Sequence, residues 1–177
     1  MPAERSEVAI RPARADDAAD IARIYNEGIE DRRATFQTRI QRAEDFAGRL
    51  EDTHDYPYLV AESDGAVAGW AGVKPYSDFP PYRPVAEAML YVARDRRGRG
   101  IGTQLLHAIA AEAERAGFTK LLGKIFTDND ASMALVQRCG FREVGVHHRH
   151  GRLDGRWKDV LLVELLIGDA AEGRGDG

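Results

Sequence analysis

The spacing of hydrophobic and polar positions changes several times along the chain, and each change marks an element. Val8 to Arg11 reads as a short strand. Asp16 or Asp17 can cap a helix on which Ile21, Ala22, Tyr25, Gly28 and Ile29 recur at helical spacing. Ala43, Phe46, Ala47 and Leu50 repeat that pattern more briefly, predicting a second helix before the break at Pro57. The period then shortens: YLVAE, the turn Ser63, Asp64, Gly65, and AVAGWAGV predict two strands joined by a tight hairpin. After the loop KPYSDFPPYRP come a strand, AEAMLYVA, a turn, RDRRGRG, and a helix from about Gly100 to Ala116 with Ile101, Leu105, Ala108 and Ile109 on one face. Gly117 stops that helix, LLGKIF is a further strand, and Asp128 or Asn129 can cap a shorter helix ended by Gly140. Two last strands, Phe141 to His148 and Trp157 to Leu166, flank a turn at Leu153 to Gly155. The order is β, α, α, β, β, β, α, β, α, β, β, without an internal repeat. It predicts one mixed α/β domain over residues 1–168, with 169–177, which has no core former, as a flexible tail.

Composition narrows the function classes. A chain of 177 residues can bury roughly 70% of its unfolded surface, and 44% hydrophobic with 31% charged residues fits a soluble globule. No apolar run approaches the roughly 20 residues of a spanning helix. With 25 Lys and Arg against 29 Asp and Glu, the net charge of -4 offers no general attraction to nucleic acid or anionic lipid, so any anion must be bound locally. Cys139 is the one cysteine, which rules out an internal disulfide framework, and MPAERSEVAI lacks the apolar stretch of a signal peptide. A cytoplasmic location is the expectation.

The local anion site is the glycine turn. Arg97, Gly98, Arg99, Gly100, Ile101 and Gly102 lie between a strand and a helix, where glycines let successive N–H groups point into one concavity at the helix's positive end. Arg94, Arg96, Arg97 and Arg99 surround it, matching an anion more extended than one phosphate. A Walker loop is excluded because no Lys followed by Ser or Thr stands where it must; Thr103 follows Gly102. The dinucleotide fingerprint fails too, since Thr103 or Leu105 occupies the place of its third glycine.

The remaining pattern, R-x-x-G-x-G after a strand, together with the element order and NDASMALVQRCGF (Asn129 to Phe141), resembles the GCN5-related N-acetyltransferases. The resemblance runs from Val8 to about Leu166. Within that family, IRPAR, IYNEGIEDRRATF, YLVAESDG, the strand bearing Glu87 and GRWKDV resemble the phosphinothricin and arsinothricin N-acetyltransferases, a group similar to the methionine sulfoximine acetyltransferases. It implies the GNAT fold, a single mixed and mostly antiparallel sheet flanked by helices, with acetyl-CoA as co-substrate at the strand, glycine turn and helix. The implied cofactor residues are Leu90, Val92, Arg97, Gly98, Arg99, Gly100, Ile101, Gly102, Thr103, Asn129 and Ser132. A small amino acid acetylated on its α-amino group is the implied substrate, detoxification the implied role, and a homodimer the implied assembly.

An ammonium group must lose a proton before it can attack a thioester. Glu87, at the head of the AMLYV run, matches the place of the family's general base; a solvent-facing strand-end carboxylate is the other reading. Val136 stands where relatives carry a tyrosine or histidine, and valine cannot protonate a thiolate. Tyr82 and Tyr91 are possible donors between which the sequence does not choose. Arg32, Arg33, Thr35 and Phe36 fall where the resembling enzymes line the amino-acid pocket, and an arginine fork would suit an anionic substrate; cations at a solvated helix end give the same pattern. Tyr82 is a further candidate pocket wall. Trp157 and Asp159 match the C-terminal strand pattern, with core packing as the alternative for Trp157. His147, His148 and His150 lack a completing ligand, and in a regular strand His147 points away from the other two, so no metal is expected. Cys139 reads as a small buried hydrophobe. Two rival readings are acetylation of a protein N-terminus or polyamine, and a non-catalytic acyl-CoA-binding module.

Overall fold

Asp64 and Gly65 both adopt positive φ, 53° and 75°, the backbone of a two-residue hairpin turn that follows the strands' twist. They join β2 (Tyr58–Ser63) to β3 (Ala66–Pro75) in a computed structural model describing residues 7–173. β1 (Val8–Pro12), β4 (Val85–Val92), β5 (Lys120–Phe126), β6 (Arg142–Leu153) and β7 (Arg156–Leu166) complete one sheet, ordered β1-β2-β3-β4-β5-β7-β6. Every neighbouring pair is antiparallel except β4 and β5.

β2 and β3 are apolar without alternation because both their faces are covered. Leu59, Ala61, Ala71 and Val73 pack with Ile101, Leu105 and Ile109 of α3 (Ile101–Arg115). Tyr58, Val60 and Trp70 pack with Ile21 and Ile24 of α1 (Ala18–Glu30) and with Phe46 and Leu50 of α2 (Ala43–Leu50). Residues 70, 72 and 74 of β3 therefore look toward α1 and α2. α4 (Asp130–Arg138) follows β5.

Asp17, expected to cap α1, makes no side-chain cap. Its carboxylate accepts from the Arg14 N–H at 2.7 Å and pairs bidentately with Arg11 at 2.8 and 2.9 Å. Asn129, rather than Asp128, caps α4, its Oδ1 accepting from the Ser132 N–H at 3.2 Å. The segment expected to fray opens with one helical turn, α5 (Asp169–Glu172), while 174–177 lie outside the described residues. β6 also departs from simple alternation. Its register slips between His147 and Gly151, Arg149 takes φ 49°, and the bulge stacks the His147 and His150 rings at 4.5 Å instead of pointing them apart. Asp159 stabilises the bulge, accepting from the Arg149 N–H at 2.7 Å and meeting His148 Nδ1 at 3.0 Å.

Candidate active site

β4 and β5 pair through three rungs, the last being Glu87 with Leu122, and then run on without pairing to Val92 and Phe126. The splay leaves the inner backbone edge of β4 beyond Glu87, including Leu90 and Val92, open to a ligand. Two adjoining cavities meet there, sharing Ala34, Leu90, Tyr91, Asn129, Ser132 and Leu135.

The first, of about 620 Å³, is floored by the glycine turn. Gly98 and Gly100 hold φ of 76° and 81°, and a Cβ at either would meet nothing within 4 Å, so open space lies over both. Gly100 is the N-cap of α3. The first N–H groups of a helix have no intrahelical acceptor, and at its positive end they suit a phosphate. Gly102 serves packing: a Cβ there would sit 3.2 Å from Leu135 of α4. Ile101, Thr103 and Ser132 line the same cleft. Asn129 braces it, donating from Nδ2 to the Arg33 carbonyl at 3.0 Å while capping α4.

The arginines around the turn are less free than their number implies. Arg94 pairs with Glu30 and Asp31, Arg96 with Asp64, and Arg97 with Asp31 at 2.6 Å. Burial alone would raise Asp31, but Arg97 and Arg94 outweigh it and hold its carboxyl below the usual range. Arg99 makes no ion pair among the described residues and is not part of the cleft lining. Arg33 and Arg138 line the cleft as well, so its donors are backbone N–H groups together with arginines of which Arg96 and Arg97 are ion-paired.

The second cavity, about 460 Å³, lies against the β3–β4 surface under α1 and α2. Its wall is aromatic. Tyr25 packs edge-on to Phe46, Trp70 and Tyr91 with ring centroids 5.8, 6.2 and 4.8 Å apart. Tyr25 and Thr35 share a hydroxyl hydrogen bond of 3.2 Å. Burial pushes the Tyr91 hydroxyl far up, so it stays protonated. Its charged residues are Arg49, Lys74, Glu87 and Lys124, and His150 also lines it. The Glu87 side chain is 14% exposed; Lys124 Nζ lies 3.0 Å from its Oε2 and Lys74 Nζ 3.4 Å from its Oε1. The Glu87 carboxylate therefore faces a cavity rather than bulk solvent.

The sequence candidates separate. Thr35 and Phe36 line this chamber, Phe36 resting edge-on against Phe126 at 4.7 Å. Arg33 lines the first cavity and donates to the Asp128 carbonyl at 3.3 Å. Arg32, at φ 56°, turns away to pair with Asp154 at 3.0 Å. Tyr82 lies in an exposed aromatic trio with Tyr76 and Phe79, outside both cavities. Trp157 is half exposed under the Arg152 guanidinium, which corrects the core-packing alternative. Cys139 is buried, and burial raises its thiol. Among the described residues no group of three or more His, Cys, Asp or Glu is arranged to hold a metal.

Sequence reasoning missed Arg49, Lys74, Lys124 and Trp70. Arg49 and Trp70 form one end of the chamber with Phe46, over whose ring Arg49 lies at 5.4 Å. The Trp70 Nε1–H and the Tyr58 hydroxyl are buried without a hydrogen-bond partner among the described residues, and burial raises Tyr58 while Arg49 draws it partly back. The one signal for Lys74 and Lys124 was their side of the strand relative to Glu87, which needs the register.

The sequence profile of the acetyltransferase (GNAT) family matches residues 21–141. The chain belongs to that family. It is an acetyltransferase, 34% identical over 161 residues to a phosphinothricin N-acetyltransferase of Streptomyces viridochromogenes, covering 90% of this chain and 88% of that one. It is 33% identical to an L-methionine sulfoximine/L-methionine sulfone acetyltransferase of Pseudomonas aeruginosa, covering 89% and 94%. The solved structure of a GNAT superfamily phosphinothricin acetyltransferase from Sinorhizobium meliloti in complex with acetyl-CoA superposes with a TM-score of 0.87 at 28% identity, covering 93% of this chain and 91% of that one. The fold and the acetyltransferase assignment implied by the resemblance are therefore established.

Proposed function

We propose that this acetyltransferase transfers an acetyl group from acetyl-CoA to the α-amino group of a small anionic amino acid of the phosphinothricin, arsinothricin or methionine sulfoximine kind, as a detoxifying cytoplasmic enzyme. The observation that carries this reading is the Glu87 carboxylate, 14% exposed, in a chamber otherwise bearing cations and open to the glycine-turn cleft. The cleft fits acetyl-CoA because left-handed glycines and the start of α3 present backbone donors to open space. Gly98, Gly100, Ile101, Gly102 and Thr103 would hold its pyrophosphate, with Arg97, Asn129 and Ser132 beside them, and the edge of β4 at Leu90 and Val92 would align its amide-bearing arm. Bound acetyl-CoA supplies the thioester carbonyl.

Glu87 accepts one proton from the substrate ammonium, so that the nitrogen lone pair is available. The acetyl carbon gains a bond to nitrogen and loses its bond to sulfur, and the second proton shed by nitrogen balances the departing thiolate. Val136 offers that thiolate no proton; Tyr91, kept protonated by burial and lining both cavities, is the residue we assign to donate a hydrogen bond to it. At the chamber's far end, Arg49 suits the oxygen-bearing side chain of such a substrate. A polyamine would meet Arg49, Lys74 and Lys124, which disfavours it.

Dimerisation is supported by β6, an edge strand whose residues 142–150 are all exposed, with Val144 and Val146 more than 40% accessible. Acetyl-CoA consumption across phosphinothricin, arsinothricin, methionine sulfoximine, methionine sulfone and spermidine tests the reading. We expect turnover with the amino acids. Turnover with spermidine alone, or with none of them, overturns it.

A further inference from the structure

We propose that Lys74 and Lys124 read the substrate's α-carboxylate, and that by taking it they release Glu87 to accept the ammonium proton. This rests on the amino-acid reading above and adds to it two specificity-determining residues and a condition for the base to act.

The register makes the cluster a built feature. Lys74 and Glu87 are direct partners across β3 and β4. Glu87 is also the last rung of the β4–β5 pair, opposite Leu122, and Lys124 is two residues further along β5, on the same face. The two ammonium groups take different oxygens, Lys74 at 3.4 Å from Oε1 and Lys124 at 3.0 Å from Oε2. Each lysine side chain is 46% exposed, so both can move, whereas Glu87 at 14% is held by its surroundings.

Two cations on one carboxylate leave an excess positive charge facing the chamber. A zwitterionic amino-acid head supplies the complement. Its carboxylate can bridge the two lysines while its ammonium replaces them on Glu87, so that every charge keeps an opposite neighbour. A carboxylate has about four lone-pair positions, so the ammonium can begin to bind before both lysines have left. An amine lacking the carboxylate offers the lysines nothing, and it must approach Glu87 past two like charges. The cluster thus selects the α-amino acid head, while Arg49 at the chamber's far end is free to select the side chain.

The test compares L-methionine sulfone with its α-carboxamide, which keeps the amine and side chain and removes the negative charge. Wild type should use the carboxamide at least 100-fold less well in kcat/KM. Lys74→Met and Lys124→Met should each raise KM for the acid at least tenfold and leave KM for acetyl-CoA unchanged. The double variant should lose the discrimination and turn over the carboxamide faster than wild type, because Glu87 is then released from the start. Lys74→Arg should restore most of the acid affinity, and calorimetric titration of the acid and the carboxamide should show the same ranking without turnover. If wild type uses acid and carboxamide alike, the inference fails while acetylation of amino acids stands. It fails in the same way if folded methionine variants keep the discrimination. If neither compound is acetylated and spermidine is, both the inference and the substrate reading fail.

Discussion

The glycine-turn cleft and the aromatic chamber share a wall, yet they are assembled in opposite ways. The cleft is floored by one stretch of chain, Leu90 to Thr103, whose glycines leave backbone open, and is walled by residues 28–34 and by α4. Of its arginines, Arg96 and Arg97 are held by Asp64 and Asp31. The chamber is mostly side chains, drawn from α1, α2, β3, β4, β5 and β6. A site built from local backbone depends on conformation, which a short pattern can specify. A site built from side chains depends on register and packing between distant segments, and can be altered one residue at a time. Substitutions in the cleft should therefore act through backbone geometry, and those in the chamber through charge.

The largest expected effect is in the chamber. Glu87→Gln keeps the shape and removes the charge, so turnover should fall by about 10² to 10⁴ while acetyl-CoA binding persists. Single-turnover kinetics with calorimetry of acetyl-CoA would measure both. A near wild-type rate would make Glu87 structural and route the proton through water.

Next is Gly100→Val in the cleft. Open space surrounds the position, so the expected harm comes from φ 81°, which a β-branched residue resists, and from a side chain projecting where the pyrophosphate approaches. CoA affinity should fall at least tenfold in a folded variant. Unchanged affinity by calorimetry would contradict a backbone-built anion site.

This asymmetry explains what could be read from the chain alone. The glycine turn, the helix after it and Asn129 as a cap were legible because each is a local pattern with a local cause. So was the hairpin at Asp64 and Gly65, whereas the two-sided burial of β2 and β3 emerged only from the packing of α1, α2 and α3 on them. Arg32 and Arg33 were adjacent in sequence, yet the left-handed backbone at Arg32 sends one to Asp154 and leaves the other by the cleft. Lys74 and Lys124 lie 13 and 37 residues from Glu87, and only strand register brings them together. The β6 bulge needed Asp159, a residue on another strand, to stabilise it.

A paired comparison sharpens the boundary between the regions. Arg49→Ala should raise KM for the anionic amino acid by about tenfold, the lower end for a charge-assisted contact because Arg49 is exposed, with KM for acetyl-CoA unchanged. Arg33→Ala should do the reverse, since Arg33 lines the cleft. If both raise the amino-acid KM alone, the division of the two cavities at Ala34 and Asn129 is misplaced.

The smallest effect is expected at Asp31, where the cleft's charge is balanced. Asp31→Asn frees Arg97 and part of Arg94 from their shared carboxylate, so CoA should bind about two- to fivefold more tightly, as expected of exposed, solvent-screened pairs. The same change should cost up to about 1 kcal/mol of stability at neutral pH, discounted for that screening. The sign with pH is fixed by the lowered carboxyl. A group whose folded pKa is depressed contributes stability above its unfolded value, near 3.9, and loses it as pH falls through the folded value. Wild type and variant should therefore differ in denaturation midpoint at pH 7 and converge in acid. A gap that persisted in acid would mean that the asparagine disturbs packing at the end of α1 rather than removing an ion pair. Tighter CoA binding that vanished at high salt would confirm that the released arginines act by charge, in a cleft whose geometry the backbone has already set.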